Sequence, residues 1–349
     1  MKKLLLLLLL LIAMPFICVA QIPQYYNTVD FTLSGNALKE QLATLIRNTH
    51  TTQLAYTPGV WDALKQTDLD PQNSNNVLLV YGYDDTDAAV SNDRTRSKDL
   101  SCHTSSCAGM WVREHVFARS LGSPNLGFEG PGSDAHHLRA IDNSMNGSRS
   151  NRKFVDDSGN AHTLPNDQFY PGDEWKGDIA RMIMYMYVRY GNQCQPIYIG
   201  IGETSYSIDG DMMNTFLEWN QEDPVSLYEL NRNNILQNLQ GNRNPFIDNP
   251  YLATKIWNGP QANDNWGIMA TETAELNSIF VYPTLTKGDI HVENTQNRTY
   301  TYTVYNTLGQ QVPFSVTSTL VSIEKNTPGL YFLTLSDGKM HKTFKIIKQ

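Results

Sequence analysis

Between Trp111 and Asn151 the chain gathers residue types that together can hydrolyse a phosphodiester: Arg113-Glu114-His115-Val116, then Asp134-Ala135-His136-His137-Leu138-Arg139, then Asn146-Gly147-Ser148-Arg149. Such a reaction takes a base for the attacking water, a cation for the charge that develops on the phosphoryl group and the leaving 3′ oxygen, and donors that hold the phosphates. His115 can be the base, because a neutral imidazole accepts a proton near pH 7. Glu114 and Asn146 are hard oxygen donors suited to one divalent ion that keeps several waters, Mg2+ first and Ca2+ or Mn2+ as alternatives. Arg113, Arg139 and Arg149 can grip phosphate oxygens in pairs. Taken alone, a Glu-His pair or a His-His pair is more often a solvated surface or a satisfied core, so the reading rests on the ordered set.

The elements that must position these residues follow from local pattern. An extended run over 113–116, a second strand over 136–141 and a helix opened by Asp142 as N-cap would carry Asn146 on the first helical turn, beside Glu114. Apolar spacing predicts a helix over 38–49, a buried strand over 77–81, and helices over 173–190, 209–222 and 225–241, the last stopped by Gly241. Alternation of polar and apolar residues over 298–305, with Ser336-Asp337-Gly338-Lys339 as a hairpin turn between strands at 330–335 and 343–347, predicts a separate β module. The fold class is therefore α+β, with a catalytic domain over 21–270, a polar linker over 271–278 and a small all-β, sandwich-like domain over 279–349.

Residues 1–20 read as a secretory signal peptide: a basic start, an apolar run from Leu4 to Ile12 and a small-residue exit at Cys18-Val19-Ala20. A lipoprotein reading of Cys18 is disfavoured by Pro15-Phe16-Ile17 before it. No later apolar run approaches the roughly 20 residues of a helical span, which predicts a secreted, extracellular or cell-surface protein, and a monomer. In an oxidising compartment Cys102 and Cys107 can close a small disulfide loop; zinc binding with His103 is the weaker alternative, since the spacing matches no common zinc site. The net charge of −8 argues against nucleic acid as a partner, yet residues 111–153 hold six Lys and Arg against four Asp and Glu, a local basic island. Asp84-Asp85-Thr86-Asp87 lacks the spacing of a calcium loop and reads as a solvated acidic turn. Neither Gly-x-Ser-x-Gly nor His-Glu-x-x-His occurs, which removes motif support for a serine hydrolase or zinc protease.

Between about Asn76 and Phe246 the chain closely resembles the bacterial endonuclease I family, secreted or periplasmic nucleases of the ββα-metal (His-Me finger) class. The resemblance is carried by Asn92-Asp93-Arg94-Thr95-Arg96-Ser97-Lys98, the three segments above, Lys176-Gly177-Asp178-Ile179-Ala180-Arg181 and Gly241-Asn242-Arg243-Asn244-Pro245-Phe246. It implies His115 as general base, Glu114 and Asn146 as ligands of the divalent ion, Arg139 and Arg149 as phosphate contacts, and His136 as an orienting residue. It also implies an endonuclease acting on DNA, and on RNA as a further substrate, with little sequence preference and leaving 5′-phosphate and 3′-hydroxyl ends. The chain departs from many relatives at Ala118, where they have proline, and from some at His137, where they have asparagine. The C-terminal stretch resembles type IX secretion sorting domains through Val281-Tyr282-Pro283-Thr284, Val304-Tyr305-Asn306-Thr307-Leu308-Gly309 and Pro328-Gly329-Leu330-Tyr331-Phe332, which implies the type IX secretion machinery as a partner. Two other functions fit the same residues: a secreted protein that binds nucleic acid without cutting it, and a phosphodiesterase of small extracellular nucleotides.

Overall fold

The computed structural model describes residues 22–104, 106–269, 279–293, 300–336 and 341–349. The leader at 1–20, the linker at 271–278 and the hairpin turn at 337–339 lie outside the described residues. Packing divides the chain into two units, Met1–Trp266 and Gly267–Gln349.

In the first unit, helix α1 (Gly35–Thr49) buries Leu38, Leu42, Leu45 and Ile46, the stripe expected from their spacing. Helix α2 (Gly59–Thr67) follows, then strand β1 (Asn73–Leu78), which pairs antiparallel with β2 (Thr95–Ser97). The strand expected over 77–81 ends early. Its five residues are all buried, but Val80 N–H bonds the Ala140 carbonyl at 2.9 Å and Tyr81 turns away at φ 69°, so the chain leaves the sheet after Leu78. A bulky residue at positive φ is strained and persists only where its surroundings hold it.

Strand β3 (Trp111–His115) pairs antiparallel with β4 (Leu138–Asp142), placing Glu114 opposite Arg139 and His115 opposite Leu138. Helix α3 (Asn143–Arg149) follows at once, and Asp142 caps it by accepting from Ser144 and Met145 N–H at 2.6 and 3.0 Å. The second strand starts two residues later than expected because the backbone turns just before it, with His137 and Leu138 N–H bonded to the Asp134 and Ala135 carbonyls, while the His136 and His137 rings are fastened to loop carbonyls.

Helix α4 (Lys176–Tyr190) begins after Asp173, whose carboxylate serves Tyr170 and Gly159 N–H outside the helix. Helix α5 (Asn214–Glu222) starts later than 209 because Asp211 is committed to Lys39, Tyr187 and Ser207. Helix α6 (Leu227–Gln240) opens on a capping box between Ser226 and Glu229. It stops at Gly241 in the left-handed region, where a Cβ would lie 2.3 Å from the Thr49 carbonyl oxygen.

The second unit is all-β. Among the described residues it has two four-stranded sheets, one ordered Leu285–Thr286, His341–Lys348, Gly329–Ser336, Thr301–Asn306, the other Ser315–Thr317, Leu320–Ser322, Asp289–Glu293, Phe280–Tyr282. Alternate residues of both sheets, among them Val281, Ile290, Val304, Val321, Leu333 and Ile346, close one shared core, which makes a sandwich.

Candidate active site

β3 is a short strand whose successive side chains serve opposite faces. On one face Arg113 and His115 meet Tyr56: the Arg113 guanidinium lies 3.4 Å from the Tyr56 ring centroid, and the His115 and Tyr56 rings stack 5.6 Å apart. On the other, Glu114 is buried. Its Oε1 accepts from the Tyr81 hydroxyl at 3.1 Å and lies 3.3 Å from Arg149 Nε, while Oε2 has no hydrogen-bond partner among the described residues. The strained turn at Tyr81 thus delivers a hydroxyl to Glu114. Burial pushes the Glu114 carboxyl up to about 7, with Arg149 and the Tyr81 hydrogen bond only partly offsetting it.

Asn146 sits on α3 three residues before Arg149, hence on the same helical side as the group that reaches Glu114. Its carboxamide is half-buried and makes no hydrogen bond within the described residues. It lines a cleft of about 340 Å³ with Val112, Arg113, Tyr56, Trp61 and His103. The open carboxylate oxygen of Glu114 and the open carboxamide of Asn146 are hard-oxygen donors of the kind a water-retaining divalent ion takes, but Glu114 and His115 are not among the residues that line this cleft. Among the described residues no group of three or more His, Cys, Asp or Glu could hold a metal ion. The carboxylates of Asp84, Asp85 and Asp87 cap backbone N–H groups of their own loop and of Arg94 and Thr95.

His115 Nε2 lies 2.9 Å from the Gly132 carbonyl oxygen. A carbonyl can only accept, so Nε2 carries the proton and Nδ1 keeps its lone pair. Desolvation, with His137 and two arginines adding to it, holds the imidazole well below its usual range and therefore neutral. The tether depends on Gly132, since a Cβ there would stand 2.1 Å from the Gly127 carbonyl oxygen. The same short turn, Gly130–Ser133, presents Pro131 O to His137 Nε2 at 2.7 Å.

The phosphate-gripping role expected for Arg139 and Arg149 is corrected by their burial, since neither guanidinium reaches solvent. Arg139 is spent on Asp68 at 3.3 Å, Asp178 at 3.1 Å and the Tyr228 hydroxyl at 2.8 Å. Arg149 reaches Glu114 and donates to the Val116 and Ser150 carbonyls. Two of the six cations of the basic island are thereby internal, and the guanidiniums left at the surface of the site are those of Arg113 and Arg119. His136 is buried against Tyr185 and bonded to the Asn242 carbonyl at 3.3 Å, away from the Glu114 carboxylate. Cys102 and Cys107 form a disulfide, Cys194 is buried and free, and His103 lies on Trp61 at 4.1 Å. Sequence reasoning missed Tyr56, Tyr81 and Gly132, which are remote from one another or lack a distinctive motif.

His136 and His137 are held down to about 4 chiefly by desolvation, against an attraction to Asp134; Arg232 opposes protonation of both, and His50 opposes that of His136. Their folded values lie below the unfolded one near 6.5, so the stability linked to them is complete above about pH 6.5 and is lost as pH falls toward 4. Urea titrations from pH 7.5 to 4.5 should show a loss on the order of 2–3 kcal/mol per histidine. His137→Asn should flatten that pH dependence, and a wild-type midpoint that stayed constant over this range would contradict it.

The Endonuclease I family model matches residues 34–251. The chain belongs to the endonuclease I family. Family members are in general dependent on a divalent metal, and the chain is an endonuclease. It is 39% identical over 262 residues to an extracellular ribonuclease of Bacillus subtilis (strain 168), covering 71% of this chain and 83% of that protein. An extracellular ribonuclease of Bacillus amyloliquefaciens is 41% identical over 238 residues, covering 64% of this chain and 75% of the relative. A periplasmic deoxyribonuclease of Aeromonas hydrophila is 27% identical over 125 residues, 33% of this chain and 47% of its own. Residues 280–349 match the secretion system C-terminal sorting domain, and this endonuclease I protein is extracellular. No helix among the described residues is long and apolar enough to cross a membrane.

Proposed function

We propose that this endonuclease I protein cleaves RNA and DNA with little sequence preference through a single-metal, ββα-type site, leaving 5′-phosphate and 3′-hydroxyl ends. The observation that carries the reading is the pairing on one strand of His115, its Nε2 tied to Gly132 and its Nδ1 free, with Glu114, buried yet with Oε2 unpartnered. Mg2+ is the ion that the two hard oxygen ligands Glu114 and Asn146 suit best; when bound it supplies positive charge to the phosphoryl and leaving 3′ oxygens. His115 Nδ1 takes the proton from the attacking water, and the Gly132 carbonyl then stabilises the imidazolium through Nε2–H. Arg149 and Tyr81 hold Glu114 by one oxygen so that the other faces the site. Arg113, with part of its surface exposed, is the phosphate contact that remains from the sequence reading. His136 braces the loop behind the site.

RNA stands beside DNA because the relatives matching most of the chain are ribonucleases, whereas the deoxyribonuclease match spans a third of it. The domain reading is a leader over 1–20, a catalytic domain over 21–270, and a sorting domain over 279–349 that engages type IX secretion machinery.

Plasmid nicking and RNA degradation with and without EDTA test the metal requirement, and cleavage persisting in EDTA would overturn it. Asn146→Ala should raise the Mg2+ concentration needed for half-maximal rate about tenfold or more. Its thermal unfolding should stay near that of the wild type, because the side chain makes no hydrogen bond among the described residues.

A further inference from the structure

One face of β3 continues into a ladder in which rings and cations alternate. Arg119 lies over the Phe128 ring at 4.0 Å, Phe128 meets Tyr56 at 4.9 Å between centroids, and Arg113 lies between Tyr56 and Trp61 at 3.4 and 4.4 Å. Trp61 then carries His103 at 4.1 Å, the latter held on the loop closed by Cys102 and Cys107. The outer members are open to solvent: Phe128 is 54% exposed, and His103 is exposed as well. The ladder runs past the His115 ring, through Tyr56, and along the cleft that Asn146 lines.

We infer that this ladder is a stacking platform for unpaired bases of a single-stranded nucleic acid, with the arginines taking the flanking phosphates. The inference rests on the nuclease reading of the adjacent site. Every base has a π-face, so aromatic platforms bind single strands with little sequence preference, and guanidiniums add cation–π contact and charge. A paired base inside a duplex offers no free face, so a duplex would gain nothing from Phe128. The neighbouring Arg119 and Arg113 match a polyanion rather than an apolar protein partner.

The test is binding by fluorescence anisotropy, with the full chain in EDTA so that no strand is cut, using a labelled single-stranded oligonucleotide and the duplex of the same sequence. Phe128→Ala should weaken single-strand binding about tenfold, the loss of one stacked base, and change duplex binding by less than about twofold. Phe128→Trp should retain single-strand affinity, and near-wild-type thermal unfolding of both variants excludes misfolding. Equal binding of the single strand by wild type and Phe128→Ala, or an equal loss for single strand and duplex, overturns the platform while leaving the nuclease reading intact. Failure of the wild type to bind or cut any nucleic acid overturns the nuclease reading, and the platform with it.

Discussion

Replacing His115 with alanine is expected to slow plasmid nicking about 10²–10⁴-fold, the usual worth of a positioned general base, with little change in thermal unfolding. The magnitude follows from geometry. His115 is half-buried on β3, its Nε2–H is fixed by Gly132 O at 2.9 Å, and its tautomer therefore leaves the Nδ1 lone pair unprotonated. The two histidines of the segment leading into β4 cannot replace it. His137 is buried, with Nε2 tied to Pro131 O and Nδ1 enclosed without a partner, and His136 faces the Asn242 carbonyl. Single-turnover nicking at saturating Mg2+ reads the chemical step directly. A rate within a few-fold of wild type would remove His115 from the reaction and leave Glu114 and Asn146 needing another base.

The centre of the site was legible in the sequence because its parts are close in the chain. Asp142 lies immediately before α3, and its capping of the Ser144 and Met145 N–H groups sets where the helix begins, hence where Asn146 lies. What could not be read was which cations are buried. A guanidinium's partner is set by tertiary packing: Arg139 meets Asp68 from the end of α2 and Asp178 from α4, partners 71 and 39 residues away. Counting charges along 111–153 therefore did not tell that Arg139 and Arg149 are spent inside, together with Glu114, Asp134 and Asp142, while Arg113, Arg119, Arg152 and Lys153 stay partly exposed. Tyr56 and Tyr81 were illegible for the same reason, since nothing near either in sequence announces that it will touch His115 or Glu114. Element ends shifted where a polar side chain had a better partner than the helix or ladder, as at Asp173, Asp211 and His137.

Asp68→Ala is expected to destabilise the first unit more than any surface change, by about 3–5 kcal/mol, the cost of leaving buried charge uncompensated. Asp68 is fully buried and lies between two equally buried guanidiniums, those of Arg139 and Arg232, while its Oδ2 also accepts from Ala140 N–H at 2.7 Å. Arg232 in turn donates to the Ala135 and Leu138 carbonyls. One carboxylate thus clamps β4, the strand that supports β3 and leads into α3, from both its amide and its carbonyl side. Removing it leaves Arg232 without a carboxylate and Arg139 with Asp178 alone, and frees the Ala140 amide, against a total stability of only about 5–15 kcal/mol for a typical domain. Thermal unfolding should fall by roughly 10 °C or more, and nicking at moderate temperature should fall with the population of folded protein. Adding Arg232→Met should recover part of the loss, because it removes the charge left without a carboxylate. An unfolding temperature for Asp68→Ala within measurement error of wild type would show that the buried network does not hold the strand pair, and that β3 and β4 keep the site in place by their own ladder and core.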